Sequence, residues 1–136
     1  MCSPLFTTDL VAEEFKRPEA VVQFIELVKI DSLNADELDE LEIIHSEHMS
    51  ISRADISALL LARKHSSTLV TDDGQARRLA MKSNLVIHGS LWVLDQIEQH
   101  GLVCAKELSN CLTRMIKAGG RFPLSEVEKR LAKWLG

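Results

Sequence analysis

Two adjacent aspartates, Asp72 and Asp73, directly follow the apolar run of residues 68–71, which has the pattern of a buried strand. In an open parallel sheet, ligands bind beyond the carboxyl ends of the strands, so this pair stands where a site would form. The plainer interpretation is structural: Asp72 would cap the next helix, with Gln75 as its capping-box partner. That interpretation explains one aspartate and leaves the second without a role.

Two further acids, Asp55 and Glu14, come from distant segments. Asp55 lies three residues after Ser52, a spacing that also suits a helix-capping pair. Glu14, placed on a helix, shares a face with the apolar residues Leu10 and Val11. A carboxylate on an apolar face is costly to bury unless a positive group satisfies it, so Glu14 is the more informative of the two.

Taken together, these acids could meet at one edge of a sheet. Clusters of oxygen ligands alone suit Mg²⁺ or Mn²⁺. Such an ion can activate a water molecule and stabilise the charge of a phosphodiester under attack. Metal-dependent phosphodiester hydrolysis is therefore compatible with the residues, although their spacing alone does not identify it.

The elements expected to position these acids alternate between helix and strand from residue 52 to residue 100. Short apolar strands between helices predict a parallel sheet with helices on both faces, an α/β fold. Capping residues, glycines and prolines mark the boundaries. We expect strands at residues 5–8, 24–30, 67–71 and 85–87, and helices at residues 11–16 (capped by Thr8 or Asp9), 18–22, 34–48, 52–63, 75–82, 90–100, 106–118 and 125–135.

Composition restricts the function classes. The chain has 136 residues, enough for a single domain spanning residues 1–136, and its net charge of −4 argues against a general nucleic-acid coating surface. It does not exclude a nuclease, because carboxylates that bind metal lower the net charge. Three cysteines without C-x-x-C spacing (Cys2, Cys104 and Cys111) favour ordinary thiols over zinc or disulfides. No run approaches the roughly 20 apolar residues of a membrane span and no secretory signal is visible, so we expect a cytoplasmic protein.

Several segments resemble the PIN-domain family, and most closely a PIN-like branch long catalogued as of unknown function. They are residues 54–62 (ADISALLLA), 68–80 (TLVTDDGQARRLA), 87–94 (IHGSLWVL) and 101–103 (GLV), with residues 9–15 (DLVAEEF) matching the segment that bears the family's glutamate. The Asp-Asp-x-x-Ala-Arg turn is the most specific of these motifs. The resemblance covers nearly the whole chain, including its last two helices.

The resemblance implies a three-layer PIN-like fold: a mostly parallel sheet flanked by helices, with two extra helices at the carboxyl end. It implies a metal-dependent endoribonuclease, commonly the toxin of a toxin–antitoxin pair, with RNA as substrate and a protein antitoxin as partner. Glu14, Asp55 and Asp72 or Asp73 would hold Mg²⁺ or Mn²⁺, with Thr71 beside them. Which of the two adjacent aspartates points inward stays open.

The family begins with a central strand that ends in an aspartate, whereas only residues 1–4 precede the match to its second strand. We therefore expect this strand and its aspartate to be absent, and metal binding and RNA cleavage to be weak. The strands beside the gap would then close on each other or pair with another chain, which predicts a homo-oligomer. The alternative function is a catalytically dead PIN-like protein that acts as a binding or oligomerisation module. An aspartyl phosphatase is disfavoured, because no apolar strand followed by Asp-x-Asp opens the chain.

Other polar residues have plainer explanations. One helix carries Arg77, Arg78 and Lys82, which could contact an RNA backbone, but a solvated helix face is the simpler interpretation. The same holds for a second basic group, Arg114, Lys117 and Arg121. His45 and His48 lack a third ligand for a metal. Gly89 and Gly101 are expected to serve turns and helix ends.

Overall fold

The computed structural model describes residues 5–14 and 28–136, which form seven helices and four short strands, a mixed α/β arrangement. These described residues divide into two compact units, the first ending at Gly89 and the second running from Ser90 to Gly136. The elements are β1 (Leu5–Thr7), α1 (Asp9–Ala12), β2 (Val28–Ile30), α2 (Ala35–Glu47), α3 (Arg53–Lys64), β3 (Leu69–Val70), α4 (Gly74–Lys82), β4 (Ile87–His88), α5 (Ser90–Gln99), α6 (Ala105–Lys117) and α7 (Leu124–Leu135). The alternation predicted from α3 to α5 is confirmed.

The strands pair in parallel, in two separate pairs. In the first pair Leu5 of β1 stands opposite Val28 of β2, and in the second Leu69 of β3 stands opposite Ile87 of β4. Within the described ranges, no ladder joins one pair to the other. Both β3 and β4 are shorter than expected, with two paired residues each. Parallel pairing is therefore confirmed for the described strands, and closure of β1 directly on β3 is not seen among them.

Helix α3 forms the centre of the first unit. Its residues Ile56, Leu59 and Leu60 are almost fully buried, and α1, α2, α4 and β3 all contact it. Ser52 caps the helix by accepting a hydrogen bond from the Asp55 amide at 3.1 Å. A helix apolar on so many sides is held by tertiary packing more than by intrinsic propensity. The first turn of this helix, which carries Asp55, is fixed by that packing.

A buried pair of hydroxyls ties the end of β1 to α3. Thr8 and Ser57 are fully buried, and their side-chain oxygens lie 2.7 Å apart. The Ser57 hydroxyl donates to the Ala54 carbonyl at 2.6 Å, so the Thr8 hydroxyl donates to Ser57 while accepting from the Val11 amide. Every hydrogen-bonding group of the pair is satisfied, as buried polar groups require.

The first helix is shorter than expected. Thr8 caps α1, in agreement with one of the two predicted caps, but the helix ends at Ala12 rather than at residue 16. The expected helical turn at residues 18–22 and the first part of the strand at residues 24–30 lie outside the described residues. Helix α2 has the predicted capping box, in which Asn34 and Glu37 each bind the other's backbone amide.

Ion pairs fasten α2 to α3 across their exposed faces. Arg63 donates to Glu40 at 2.5 Å, and this bond lowers the pKa of the Glu40 carboxyl and raises that of the Arg63 guanidinium. The other cations on α3 are also paired with acids of α2: Arg53 with Glu42, and Lys64 with Glu37. The polar face of α2 is thereby used for packing within the unit.

The second unit consists of three helices around a small core. Leu94, Leu108, Leu112, Val127 and Trp134 are its buried residues. No helix in the described part of the chain is long and apolar enough to cross a bilayer. Cys104 and Cys111 are unbridged thiols, as expected, and Cys2 lies outside the described residues.

The helices of the second unit are joined by charged side chains. Arg130 of α7 binds Asp95 of α5 and Glu126 one turn away on its own helix, and the Asp95 bond is the main cause of the raised pKa of Arg130. Glu98 accepts bonds from Lys133 and from the Trp134 indole, and the Lys133 bond is the main cause of its lowered pKa.

Candidate functional site

The carboxyl ends of β3 and β4 meet at Thr71. Its amide donates to the His88 carbonyl at 2.9 Å, which extends the pairing by one residue beyond the assigned strand. Asp72, with an exposed side chain, follows immediately. The acid predicted from the strand-end rule therefore stands at the shared end of two parallel strands.

The second aspartate of the turn caps a helix. The Asp73 carboxylate accepts from the Ala76 amide at 2.8 Å, and the Asp73 amide donates to the Thr71 hydroxyl at 3.3 Å. The expected capping pair of Asp72 with Gln75 is therefore wrong by one residue. Asp73 has the extended backbone of a capping residue and directly precedes the first helical residue, Gly74. Capping accounts for Asp73 and leaves Asp72 as the acid at the strand end.

Gly89 has a role that the sequence did not reveal. A Cβ built on it would lie 2.6 Å from Asp72 Oδ1 and 2.7 Å from Arg77 Nη1. Arg77 Nη1 also donates to the Thr71 carbonyl at 3.3 Å. Gly89 directly precedes the first residue of α5, so it lies at a helix end as expected, and it is not among the described glycines with positive φ. It makes room for the two charged side chains, a known use of glycine beside strands.

Asp55 occupies the first turn of α3 and is partly buried. Ser52 binds its amide, but within the described residues its carboxylate makes no reciprocal bond to the Ser52 amide. The expected capping box is thus only half formed. The Ser50 hydroxyl, just before α3, donates to the Gln75 side chain in the first turn of α4. This bond places the amino-terminal ends of α3 and α4 side by side, so Asp55 lies at the same end of the helix pair as Asp73.

Glu14 lies in a turn beyond the end of α1, and its side chain is exposed. The expectation that it projects from the apolar face of a helix is wrong, because the helix ends two residues earlier. An exposed carboxylate needs no buried positive partner. Among the described residues, no group of three or more acidic, histidine or cysteine side chains could hold a metal ion. The described acids therefore form no preformed three-ligand group for Mg²⁺ or Mn²⁺.

The basic residues of α4 diverge. Arg77 turns toward Thr71 and Gly89, whereas Arg78 and Lys82 line a separate cavity with His48. The three cations expected on one helix therefore lie on two of its faces. The ring Nδ1 of His45 lies 3.0 Å from the Ile51 carbonyl oxygen, within hydrogen-bond distance. The side chains of the second basic group, Arg114, Lys117 and Arg121, are exposed on the second unit.

Comparison with protein families identifies a relationship. A family model described as "DUF3368: PIN domain" matches residues 1–135. The matched range includes both the turn that holds Asp72 and the helices of the second unit. No curated protein and no solved structure matches the chain.

Proposed function

Because the chain belongs to the PIN-domain family, we propose that it is a metal-dependent endoribonuclease and the toxin component of a toxin–antitoxin system. Family membership implies a nuclease-like function, and PIN domains generally use divalent metal ions. The observation that carries the proposal is the position of Asp72 at the common carboxyl end of β3 and β4. Single-stranded RNA is the proposed substrate and a small antitoxin protein the proposed partner.

In the proposed site Asp72 is the principal acid. Asp55, in the first turn of α3, is the second, and Glu14 is the third. Asp73, the alternative to Asp72 in the predicted set, caps α4 instead. Mg²⁺ or Mn²⁺ would supply positive charge to the phosphodiester under attack and to the attacking water. We expect this binding to be weak, because the described residues hold no preformed group of three ligands. Soaking crystals in Mn²⁺ tests the set, and a bound ion with no contact to Asp72 would contradict it.

Arg77 is the proposed positioning residue for Asp72. Its guanidinium is anchored on the Thr71 carbonyl, and the missing side chain of Gly89 allows both groups to approach the strand end. A guanidinium held there can contact a phosphate oxygen while remaining next to the carboxylate. Substitution of Gly89 by alanine would push both side chains away, since they are the nearest atoms to the added methyl group.

The test is RNA cleavage with Mn²⁺ by the wild-type chain and two matched variants. Asp72→Asn should lower the rate by on the order of 100-fold, the usual contribution of a carboxylate in proton transfer or charge stabilisation. Asp73→Asn removes the same charge from the next residue but keeps the helix cap, since asparagine caps as well as aspartate. It should stay within about threefold of wild type by the same argument. Equal cleavage by wild type and Asp72→Asn would refute the proposed site.

The second candidate function is a catalytically dead PIN-like protein that binds RNA or oligomerises. The observation in its favour is that the described acids form no group able to hold a metal. It predicts RNA binding without cleavage at any Mn²⁺ concentration. A cleavage rate that depends on Asp72 would rule it out.

We also propose that the chain forms a homo-oligomer. Each two-stranded sheet is too small to be stable alone, and apolar residues of its strands, such as Leu5, Ile30 and Val70, are about half exposed. Open strand edges with apolar side chains favour pairing with another chain. Light scattering should give a mass of at least twice 15.2 kDa. A monodisperse monomer at micromolar concentration would contradict this.

Three further assignments, on the number of domains, the layers of the fold and the location in the cell, complete the proposal. One family model spans both units, which supports a single domain. The three-layer arrangement, with helices on both faces of one sheet, stays a prediction that an experimental structure would test. An RNA substrate supports a cytoplasmic location, which cell fractionation would check.

A further inference from the structure

A small cavity opens beside α4, on the side away from Arg77. It has a volume of about 180 Å³ and is lined by His48, Ile51, Gln75, Arg78, Leu79 and Lys82. Pockets for drug-sized ligands usually exceed about 300 Å³, so this one suits a small group. Ile51 and Leu79 form the apolar floor, while the basic side chains are more exposed.

The cations at this cavity differ from the other described cations of the first unit in their interaction partners. Arg53, Arg63 and Lys64 pair with carboxylates, Arg77 binds a carbonyl, and Lys29 lies over the Phe6 ring. Within the described residues of the unit, Arg78 and Lys82 are the two cations without such a partner. Both line the same cavity.

The placement of these two cations is unfavourable without a ligand. Arg78 and Lys82 are four residues apart on α4, so they are neighbours on the helix surface, where like charges repel. No acidic side chain from the described residues lines the cavity to offset them. An anion seated between them would remove the repulsion. Gln75 adds a polar side chain at the rim, where its oxygen accepts a bond from Ser50.

We propose that this cavity binds a backbone phosphate of the RNA substrate, separately from the strand end that carries Asp72. Arg78 offers a guanidinium fork and Lys82 a point charge, the two usual protein partners of phosphate. Successive residues of a helix point about 100° apart, so Arg77 and Arg78 would contact different phosphates of one strand running across α4. The inference rests on the proposed nuclease function for its choice of RNA.

The experiment measures binding of a fluorescent single-stranded oligouridine by anisotropy, with EDTA present so that no cleavage occurs. The double variant Arg78→Gln/Lys82→Gln removes two phosphate contacts. For single strands each contact contributes about 0.7 to the slope of log affinity against log salt, so the slope should fall by about 1.4. By the same relation, affinity should fall by about 25-fold at 0.1 M salt and approach wild type near 1 M.

The matched control is Arg53→Gln/Lys64→Gln, which removes the same net charge from exposed ion pairs on α3. It should bind RNA within about twofold of wild type, since it contributes only to the long-range field. Circular dichroism would verify that both variants are folded. Equal losses in the two variants would show a general charge effect and overturn the proposal.

The remaining outcomes are also decisive. Unchanged binding by the Arg78→Gln/Lys82→Gln variant, or no RNA binding by the wild type, overturns the proposal. So does Arg78-dependent binding of polyglutamate in place of RNA, which would mark a site for an acidic protein. RNA binding that depends on Arg78, without cleavage under any condition, would support the cavity and refute the nuclease function alone. Cleavage that requires Asp72 but keeps its KM in the double variant would refute the cavity alone.

Discussion

The two units use their charged residues differently. In the second unit most of the charged residues that line the groove along α5 and α7 bind one another, such as Arg130 with Asp95 and Lys133 with Glu98. In the first unit α4 carries Arg78 and Lys82, which have no such partner in the described part of the chain. Charges that are already paired have less electrostatic attraction for a ligand. We therefore expect the proposed ligand to bind at α4 of the first unit, and the paired charges along this groove to serve packing within the second.

The cores of the two units are also built differently. The first is organised around α3, with α1, α2, α4 and β3 packed on it. The second relies on the apolar stripes of α6 and α7, which have polar outer faces. Each unit has its own set of fully buried leucines, among them Leu60 and Leu112. Truncating one leucine in each core compares them directly.

The largest expected effect is on stability. Leu60→Ala in the first core and Leu112→Ala in the second should each lower the free energy of unfolding by about 2 to 5 kcal/mol, from lost burial and the cavity left behind. Urea denaturation measures the loss. Hydrogen exchange should show that amide protection falls first in the unit that carries the substitution.

The control for both variants is Leu135→Ala, because Leu135 is 69% exposed and its loss should matter little. Equal loss of protection throughout the chain in both leucine variants would mean that the two units unfold as one. The division of the chain into two units would then not be reflected in how it unfolds.

A smaller effect on stability concerns the helix cap formed by Asp73. Asp73→Ala removes the cap of α4 and should lower the free energy of unfolding by about 1 kcal/mol. Asp73→Asn keeps an oxygen acceptor for the Ala76 amide and should change stability by only a few tenths of a kcal/mol. Thermal denaturation of the three proteins tests this. Equal destabilisation by both substitutions would show that the charge, and not the cap, is what matters.

The sequence predicts best what is decided locally. The capping box of Asn34 and Glu37 is predicted correctly, Thr8 is one of the two caps expected for α1, and Ser52 forms half of its expected box with Asp55. These features are local, because a capping side chain binds an amide two or three residues away. The ends of the strands are not predicted correctly, because a strand continues only as far as a partner from another segment pairs with it. Residues 67–71 were expected to form one strand, and only Leu69–Val70 are assigned to β3.

The site was predicted only in part, for a similar reason. The pattern identifies the Asp72–Asp73 turn but names Asp72 as the cap in place of Asp73, because both residues have capping chemistry and the choice depends on where α4 begins. Gly89 was not recognised, since its role comes from side chains of a different segment, Asp72 and Arg77. The separation of Arg77 from Arg78 needs only helical geometry, but the direction of each requires the neighbouring elements.

The smallest expected effect concerns the paired charges of α2 and α3, which the comparison treats as structural. Arg63 lowers the pKa of Glu40, mainly through its hydrogen bond, with a further contribution from its charge, while partial desolvation opposes the shift. An acid with a lowered pKa in the folded state binds fewer protons there than in the unfolded chain. Its contribution to stability is therefore present above the ordinary glutamate pKa of about 4.3 and is lost as the pH falls through the lowered value.

The measurement is the difference in unfolding free energy between wild type and Glu40→Gln at pH 7 and at pH 3. Both side chains are about 40% exposed, so solvent screening should keep the difference at pH 7 below about 1 kcal/mol. It should shrink at pH 3, where the wild-type carboxyl is increasingly protonated and resembles the amide. Glu47→Gln, in the last turn of the same helix, controls for removal of a charge without a paired cation. A pH-independent difference for Glu40→Gln would show that the side chain stabilises α2 through packing, and that the ion pairs of α2 and α3 are no more structural than the unpaired cations of α4.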